Sequence, residues 1–204
     1  GNVLIELHYD PSLQHIAREV NLPPEEIHRR LFGSDGYGLN DMKHRRAMED
    51  FECGRVSTRE FHRHLETLLE HSFSYHTFEI LWTDIFGDEI ASTIELARSL
   101  RARPELKVGL LSNINPLHLE HLRPRMAILR EIQYVYASHE IGYRKPEAAC
   151  YQYVLRDMQV QPQRAVFVDD SLKNVAGAQD VGMRGVHALN PAAVRKGLSD
   201  FGLI

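Results

Sequence analysis

Between Pro11 and about Phe86 the apolar positions recur at helical spacing, and the stretch reads as helices only. Breaks fall at Asn21 to Pro24, Gly33 to Asn40 and Gly54, where turn-forming residues interrupt the pattern. One helix is marked with particular clarity. Ser57-Thr58-Arg59-Glu60 has the form of a capping box, and Phe61, Leu65, Leu68 and Leu69 follow on one face. After Gly87 the pattern changes. A helix is expected from about Asp88 to Arg101, then an apolar run from Leu106 to Ser112. Further short apolar runs, Tyr134 to Ala137, Ala165 to Val168 and Gly185 to Ala188, predict strands. Between them Pro116 to Leu122, Pro146 to Met158, Leu172 to Val181 and Pro191 to Leu198 predict helices. Asp10-Pro11, Asn115-Pro116 and Asn190-Pro191 each place an N-cap residue before a proline suited to the first helical turn.

Short continuous apolar strands alternating with helices predict an α/β core, a doubly wound parallel sheet covered on both faces. The chain is therefore expected to divide into a core, residues 1–10 and 87–204, and an inserted helical segment, residues 11–86. Composition agrees with this. At 43% hydrophobic the 204 residues suffice to build a sizeable core. A net charge of −4 gives no reason to expect nucleic acid or an acidic membrane surface as partner. No window approaches the roughly 18 apolar residues of a membrane span. No secretory leader is legible, so a cytoplasmic protein, monomeric or weakly self-associating, is expected. Cys53 and Cys150, far apart and outside any CxxC pattern, are expected as free thiols.

Ligands of open parallel sheets sit beyond the carboxyl ends of the strands. There this chain places Ser112 and Asn113, then Lys145, then the adjacent carboxylates Asp169 and Asp170. Each has an ordinary reading: Asp170 or Ser171 as a helix cap, Ser112-Asn113 as a turn, Lys145 as a solvated lysine. Together on one rim they suit a phosphate group with Mg²⁺. Hard oxygens bind that cation, while a hydroxyl and an ammonium hold the remaining phosphate oxygens.

The segments "LLSNIN", "GYRKPEAACYQYVL" and "FVDDSLKNVAGAQDVGM" resemble, in order and spacing, the second, third and fourth motifs of the haloacid dehalogenase superfamily. The helical segment, with "FECGRVSTREFHRHLETLL" and "YHTFEILWTDIF", is similar to the cap of bacterial sugar-phosphate phosphatases of the α-D-glucose-1-phosphate phosphatase type. The resemblance implies a Rossmann-like core with a four-helix cap, and Mg²⁺-dependent transfer of phosphate to an aspartate. It implies that Ser112 and the Asn113 backbone N–H bind phosphate and that Lys145 neutralises charge. Asp170 would ligate the metal directly and Asp169 directly or through water, with Asn174 bracing the loop. Paired carboxylates are tolerable there because a dication lies between them and the phosphate. True dehalogenases bind no metal and carry small neutral residues at that position.

In this branch the first motif often runs Asp-x-Gly-Asn-Val, and the chain begins "GNVLIEL". The resemblance aligns Gly1 with its third position, where it offers a backbone carbonyl to Mg²⁺ but cannot shuttle a proton. The nucleophilic aspartate and its strand are expected two residues and more before Gly1. Without that strand, two flanking strands would stay unpaired around an apolar slot. Val3 to Leu7, strand-like by itself, becomes the flap leading into the cap. The histidines His62, His64, His71 and His76 have no convincing zinc spacing and read as a solvated face. The glycine-rich loop Phe32 to Asn40 is either a substrate-selecting loop or a plain connection. The expected activity is hydrolysis of a small phosphorylated metabolite, a sugar phosphate. The alternatives are a phosphomutase, a phosphonatase (which needs a cap lysine, and only Lys43 is there) or a non-catalytic scaffold.

Overall fold

The computed structural model describes residues 1–32 and 42–204. Five helices occupy the first part: α1 (Tyr9–Val20), α2 (Pro24–Phe32), α3 (Met42–Glu52), α4 (Thr58–Leu69) and α5 (Tyr75–Thr83). The expected helical segment is there, with five helices among the described residues where four were expected. The extra break has a local cause: Glu70 turns left-handed at φ 55° to end α4, and Ser74 caps the next helix by accepting from the Thr77 N–H. The Ser57–Glu60 capping box forms as expected, with both reciprocal bonds present. Asp10, by contrast, lies inside α1, whose first residue is Tyr9 after His8. Its carboxylate therefore meets the positive end of the helix dipole instead of capping the chain.

The five helices close on a cluster around Ile27, Phe51, Phe61 and Phe78, each at most 1% exposed. Phe51 and Phe61 stack with ring centres 4.3 Å apart. His62 corrects the solvated-face reading. It is buried, donates from Nε2 to the Phe73 carbonyl at 2.9 Å, and stacks against Phe78. His64 and His71 are half-buried against the Phe61 and Phe73 rings, and His76 is exposed. Among the described residues no cluster of three potential metal ligands exists. The loop of interest, Phe32 to Asn40, lies outside the described residues beyond Phe32, as does the side chain of Lys43.

The chain enters and leaves these helices through an antiparallel ribbon, β1 (Ile5–Leu7) against β2 (Phe86–Glu89), with Leu7 opposite Phe86. The sequence predicts a helix from Asp88. Pairing with the distant β1 holds that segment extended instead, and α6 (Ala91–Arg101) starts after it. Then follow β3 (Gly109–Ser112), α7 (Pro116–Leu122), α8 (Ile128–Glu131), β4 (Tyr134–Ala137), α9 (Ser138–Ile141) and α10 (Ala148–Asp157). The chain ends with β5 (Val166–Asp169), α11 (Leu172–Asp180), β6 (Arg184–His187) and α12 (Pro191–Asp200). Asn115 and Asn190 cap α7 and α12 as expected, each accepting from an N–H three residues on. Successive residues of β5 point to opposite faces. Val166 and Val168 pack with Leu96, Val194 and Leu198, while Phe167 packs with Tyr151 and Ala178. Helices thus cover both sides of the strands.

The strands form two separate parallel pairs, β3 with β4 and β5 with β6. Between β3 and β5 runs a cavity of about 840 Å³, walled by Val108, Leu110 and Leu111 on one side and Val166 and Val168 on the other. Those apolar strand residues are only half-buried, whereas the helical residues behind them, Ile94, Leu96 and Leu198, are buried.

Where α5 meets α7, His118 lies between Trp82 and Phe86, donating from Nε2 to the Trp82 carbonyl at 2.8 Å. Its Nδ1 pairs with Asn115 Nδ2 at 3.1 Å. Burial, only partly opposed by the Trp82 bond and reinforced by His121, pushes its pKa from 6.5 down to about 4. A depressed imidazole favours the folded state while neutral, so its contribution is intact above about pH 6.5 and lost as pH falls towards 4. The loss expected from this one residue is about 2 kcal/mol by pH 4.5. Urea unfolding of the full protein and of His118→Gln, at pH 7 and 4.5, checks it: the stability gap between the two should narrow on acidification. A gap independent of pH would mean that His118 takes up its proton without penalty.

Candidate active site

The carboxyl ends of β3 and β5 and the loop after β4 meet on one rim, because parallel strands present their ends together. Ser112 closes β3 and Asp169 closes β5. Lys145 reaches between them. Its ammonium donates to Asp169 Oδ2 at 2.7 Å and to the Leu111 carbonyl at 3.1 Å. Two of its three N–H groups are thereby used, which leaves one for a ligand. Ser112, Asn113, Lys145, Asp169 and Gly1 all line the cavity.

Asp169 is 3% exposed and is satisfied on both oxygens. Oδ2 takes the lysine, and Oδ1 accepts from the Ser171 N–H at 2.9 Å and from Asn174 Nδ2 at 2.8 Å. Burial alone would raise its pKa. The Lys145 charge and these hydrogen bonds outweigh burial and hold it below the usual carboxylate range. Asn174, for which the resemblance implies a bracing role, thus bonds Asp169, and its own carbonyl accepts from the Tyr151 hydroxyl at 2.7 Å. The helix-cap alternative fails locally: Ser171 makes no side-chain cap bond, and the carboxylate that receives its N–H is Asp169, not Asp170.

Asp170 differs from its neighbour. It is exposed, and Asn2 Nδ2 donates to its Oδ2 at 3.1 Å. Its carbonyl accepts from His187 Nε2 at 2.9 Å. Among the described residues no cationic side chain lies within ion-pair distance of it. One carboxylate of the pair is thus neutralised by lysine and the other is presented outward. A hard carboxylate on a rim beside an ammonium and a hydroxyl is a donor set that fits Mg²⁺ with a phosphate. The Gly1 carbonyl lies at the same rim and accepts from the Val3 N–H at 2.7 Å.

Two functional features escaped the sequence reading. Asn2, left-handed at φ 49°, links the flap to the site by bonding Asp170 while its Oδ1 accepts from the Leu7 N–H at 3.1 Å. The signal available was an asparagine after glycine, a residue that tolerates that conformation. Asn113 acts through its side chain as well. Its amide donates to the Lys145 carbonyl at 2.9 Å and accepts from the Lys145 N–H at 2.8 Å, so it clamps the lysine main chain.

A family model described as a haloacid dehalogenase-like hydrolase matches residues 42–182. That is more than half of the chain, and the chain belongs to this family. It is 29% identical over 150 residues to a drimenol cyclase of Aspergillus calidoustus, which covers 72% of this chain and 28% of that protein. It is 39% identical over 72 residues to a sesquiterpene phosphatase of Aspergillus oryzae, covering 32% of this chain and 37% of that one. The chain thus spans well under half the length of these two relatives. With a D-ribitol-5-phosphate phosphatase of Bacteroides thetaiotaomicron it shares 22% identity over 205 residues, 98% of this chain and 93% of the other. A crystal structure of a family enzyme from the same organism, in complex with magnesium and inorganic phosphate, superposes with a TM-score of 0.76 at 21% identity. That match covers 91% of this chain and 88% of that one, and it shows the same fold, a Rossmann-like core with a helical cap.

Lys145 proves to be 8% exposed, not a solvated loop lysine. Removing it would strand a buried carboxylate. Lys145→Ala is expected to cost about 3–5 kcal/mol of unfolding free energy. Combining Lys145→Met with Asp169→Asn should recover most of that, because no lone charge then remains. Denaturant titration of the full protein measures both. Equal stability of Lys145→Ala and wild type would show that the pair contributes nothing to the fold.

Proposed function

We propose that this chain belongs to a Mg²⁺-dependent phosphatase that hydrolyses a small phosphorylated metabolite through a phospho-aspartate. The reading rests above all on the divided roles of Asp169 and Asp170: one is held by Lys145, and the other is presented outward with no cationic partner among the described residues. Mg²⁺, held by Asp170 with the Gly1 carbonyl, would supply charge neutralisation for the phosphoryl group. Ser112 and the remaining N–H of Lys145 would hold phosphate oxygens. Asp169 keeps that ammonium aimed and charged. Asp169 is held by Lys145 and Asp170 is assigned to the cation, so neither serves as the nucleophile in this reading. The apolar slot between β3 and β5 has the walls that a further central strand needs, and we assign the nucleophilic aspartate to the end of such a strand, supplied outside these 204 residues. Residues 11–86 act as the cap and residues 1–10 and 87–204 as the core, within a cytoplasmic enzyme.

Two substrate readings are supported. A sugar phosphate agrees with the cap resemblance and with the relative that acts on D-ribitol 5-phosphate. A sugar 1-phosphate also has an acidic leaving group, which suits glycine at the proton-shuttle position. The second reading is a terpenyl phosphate. Its support is the wall above the rim, where Leu13, Ile16, Met48, Trp82 and Phe86 line the same cavity, together with the named sesquiterpene phosphatase relative.

The test uses the full protein, including the upstream strand. It should hydrolyse an aryl phosphate only with Mg²⁺, and Asp170→Asn should remove that activity, because an amide is a poor ligand for the cation. Activity unchanged in Asp170→Asn, with normal metal dependence, would refute the metal assignment. Activity of the 204-residue chain alone would refute the assigned nucleophile. Comparing kcat/KM for a hexose 1-phosphate and a farnesyl monophosphate decides between the two substrates.

A further inference from the structure

The loop that carries Lys145 is held from the cap side as well. Arg144, the residue before it, donates from Nη1 to Glu49 Oε1 at 3.1 Å, and from Nη2 and Nε to Glu52 Oε2 at 2.9 and 3.0 Å. Both carboxylates belong to the last turns of α3. The guanidinium is 24% exposed and its partners 32% and 20%, so these bonds are partly shielded from water. This is not an ordinary surface pair. It is forked, it joins two carboxylates one turn apart, and it spans more than 90 residues of sequence.

Two further contacts fix the end of α3 at the same place. Ser138 Oγ, fully buried, donates to the Glu52 carbonyl and accepts from the Ile114 N–H at 2.9 Å. Gly54, left-handed at φ 69°, lies so close to α9 that a Cβ there would stand 2.3 Å from the His139 carbonyl oxygen. The end of α3 therefore has no room to slide. Arg144 is clamped at its side chain by the cap, while the main chain of the next residue is clamped by Asn113.

We propose that Arg144 is a positioning residue, through which α3 of the cap sets the place of the Lys145 ammonium. The proposal rests on the phosphatase reading for its consequence in catalysis, but the coupling itself does not need it. Arg144 touches neither the substrate nor the reacting atoms. It holds the loop against the cap so that Lys145 meets Asp169 and the Leu111 carbonyl in one geometry. A lysine at this position would be a poor replacement, because a single ammonium cannot match the fork to both carboxylates.

The experiment uses the full protein, with Arg144→Ala, Arg144→Lys and the double variant Glu49→Gln with Glu52→Gln. The first readout needs no activity: acylation of each lysine by an amine reagent, followed by mass spectrometry. Arg144→Ala should raise the labelling rate of Lys145 about tenfold, since reagent access follows local opening. Labelling of Lys107, Lys173 and Lys196 should not change. The second readout is steady-state kinetics on an aryl phosphate with Mg²⁺. There kcat should fall about 10- to 100-fold with KM little changed, as for a misplaced catalytic group. The double glutamine variant should match Arg144→Ala, and Arg144→Lys should recover only part of the loss. Lys145 labelling at the wild-type rate in Arg144→Ala overturns the proposal. So does faster labelling of all lysines together with a lower Tm, which is the signature of general destabilisation. If the wild-type protein hydrolyses no phosphate ester, the phosphatase reading falls, and the labelling pattern alone still decides the coupling.

Discussion

The buried pair of Lys145 and Asp169 is the interaction on which the rest of this structure depends. The two parallel strand pairs do not bond to each other across the cavity between β3 and β5. The lysine spans that division, with one bond to the Leu111 carbonyl on β3 and one to the Asp169 carboxylate that ends β5. A buried ion pair is weak evidence of net stability, since removing two charges from water costs nearly what their attraction returns. Its value lies in geometry. Neighbouring polar contacts keep the two groups satisfied: Asn113 on the lysine main chain, and Asn174 and the Ser171 N–H on the second carboxylate oxygen.

This arrangement explains why adjacent aspartates coexist. Asp169 has an internal countercharge and is structural in its surroundings. Asp170 faces outward, with the Asn2 amide on its carboxylate and His187 on its main-chain carbonyl. Asp169 is the last residue of β5 and is buried, whereas Asp170 lies just beyond the strand and is exposed, so the neighbours receive different environments.

Much of the fold was legible because its determinants are local. The caps Ser57, Asn115 and Asn190 act on amides three residues away, and β4 and α7 fall where the apolar runs place them. The failures are non-local. Residues Phe86 to Glu89 are strand only because β1 lies opposite, and no property of that stretch announces a partner about eighty residues earlier. His62 belongs to an aromatic core assembled from α4 and α5, and its ring bonds a carbonyl beyond the next turn. At the site, Ser112, Asn113, Lys145, Asp169 and Asp170 were readable as a coincidence of residue types beyond strand ends, and Asn174 through the family resemblance alone. Asn2 and Arg144 were not, since their meaning lies in Asp170 and in α3, far along the chain.

The ribbon of β1 and β2 has a consequence beyond the site. Because Leu7 stands opposite Phe86, residues 8–85 begin and end at one point on the core. Such a segment behaves as a cassette: a lineage can lengthen, shrink or replace it without rethreading the sheet. The exchange is constrained where cassette and host meet, at Arg144 with α3, at Ser138 with Glu52, at Gly54 against His139 and at Trp82 with His118. A recombinant that carried a foreign cassette would have to bring matching partners for those junctions.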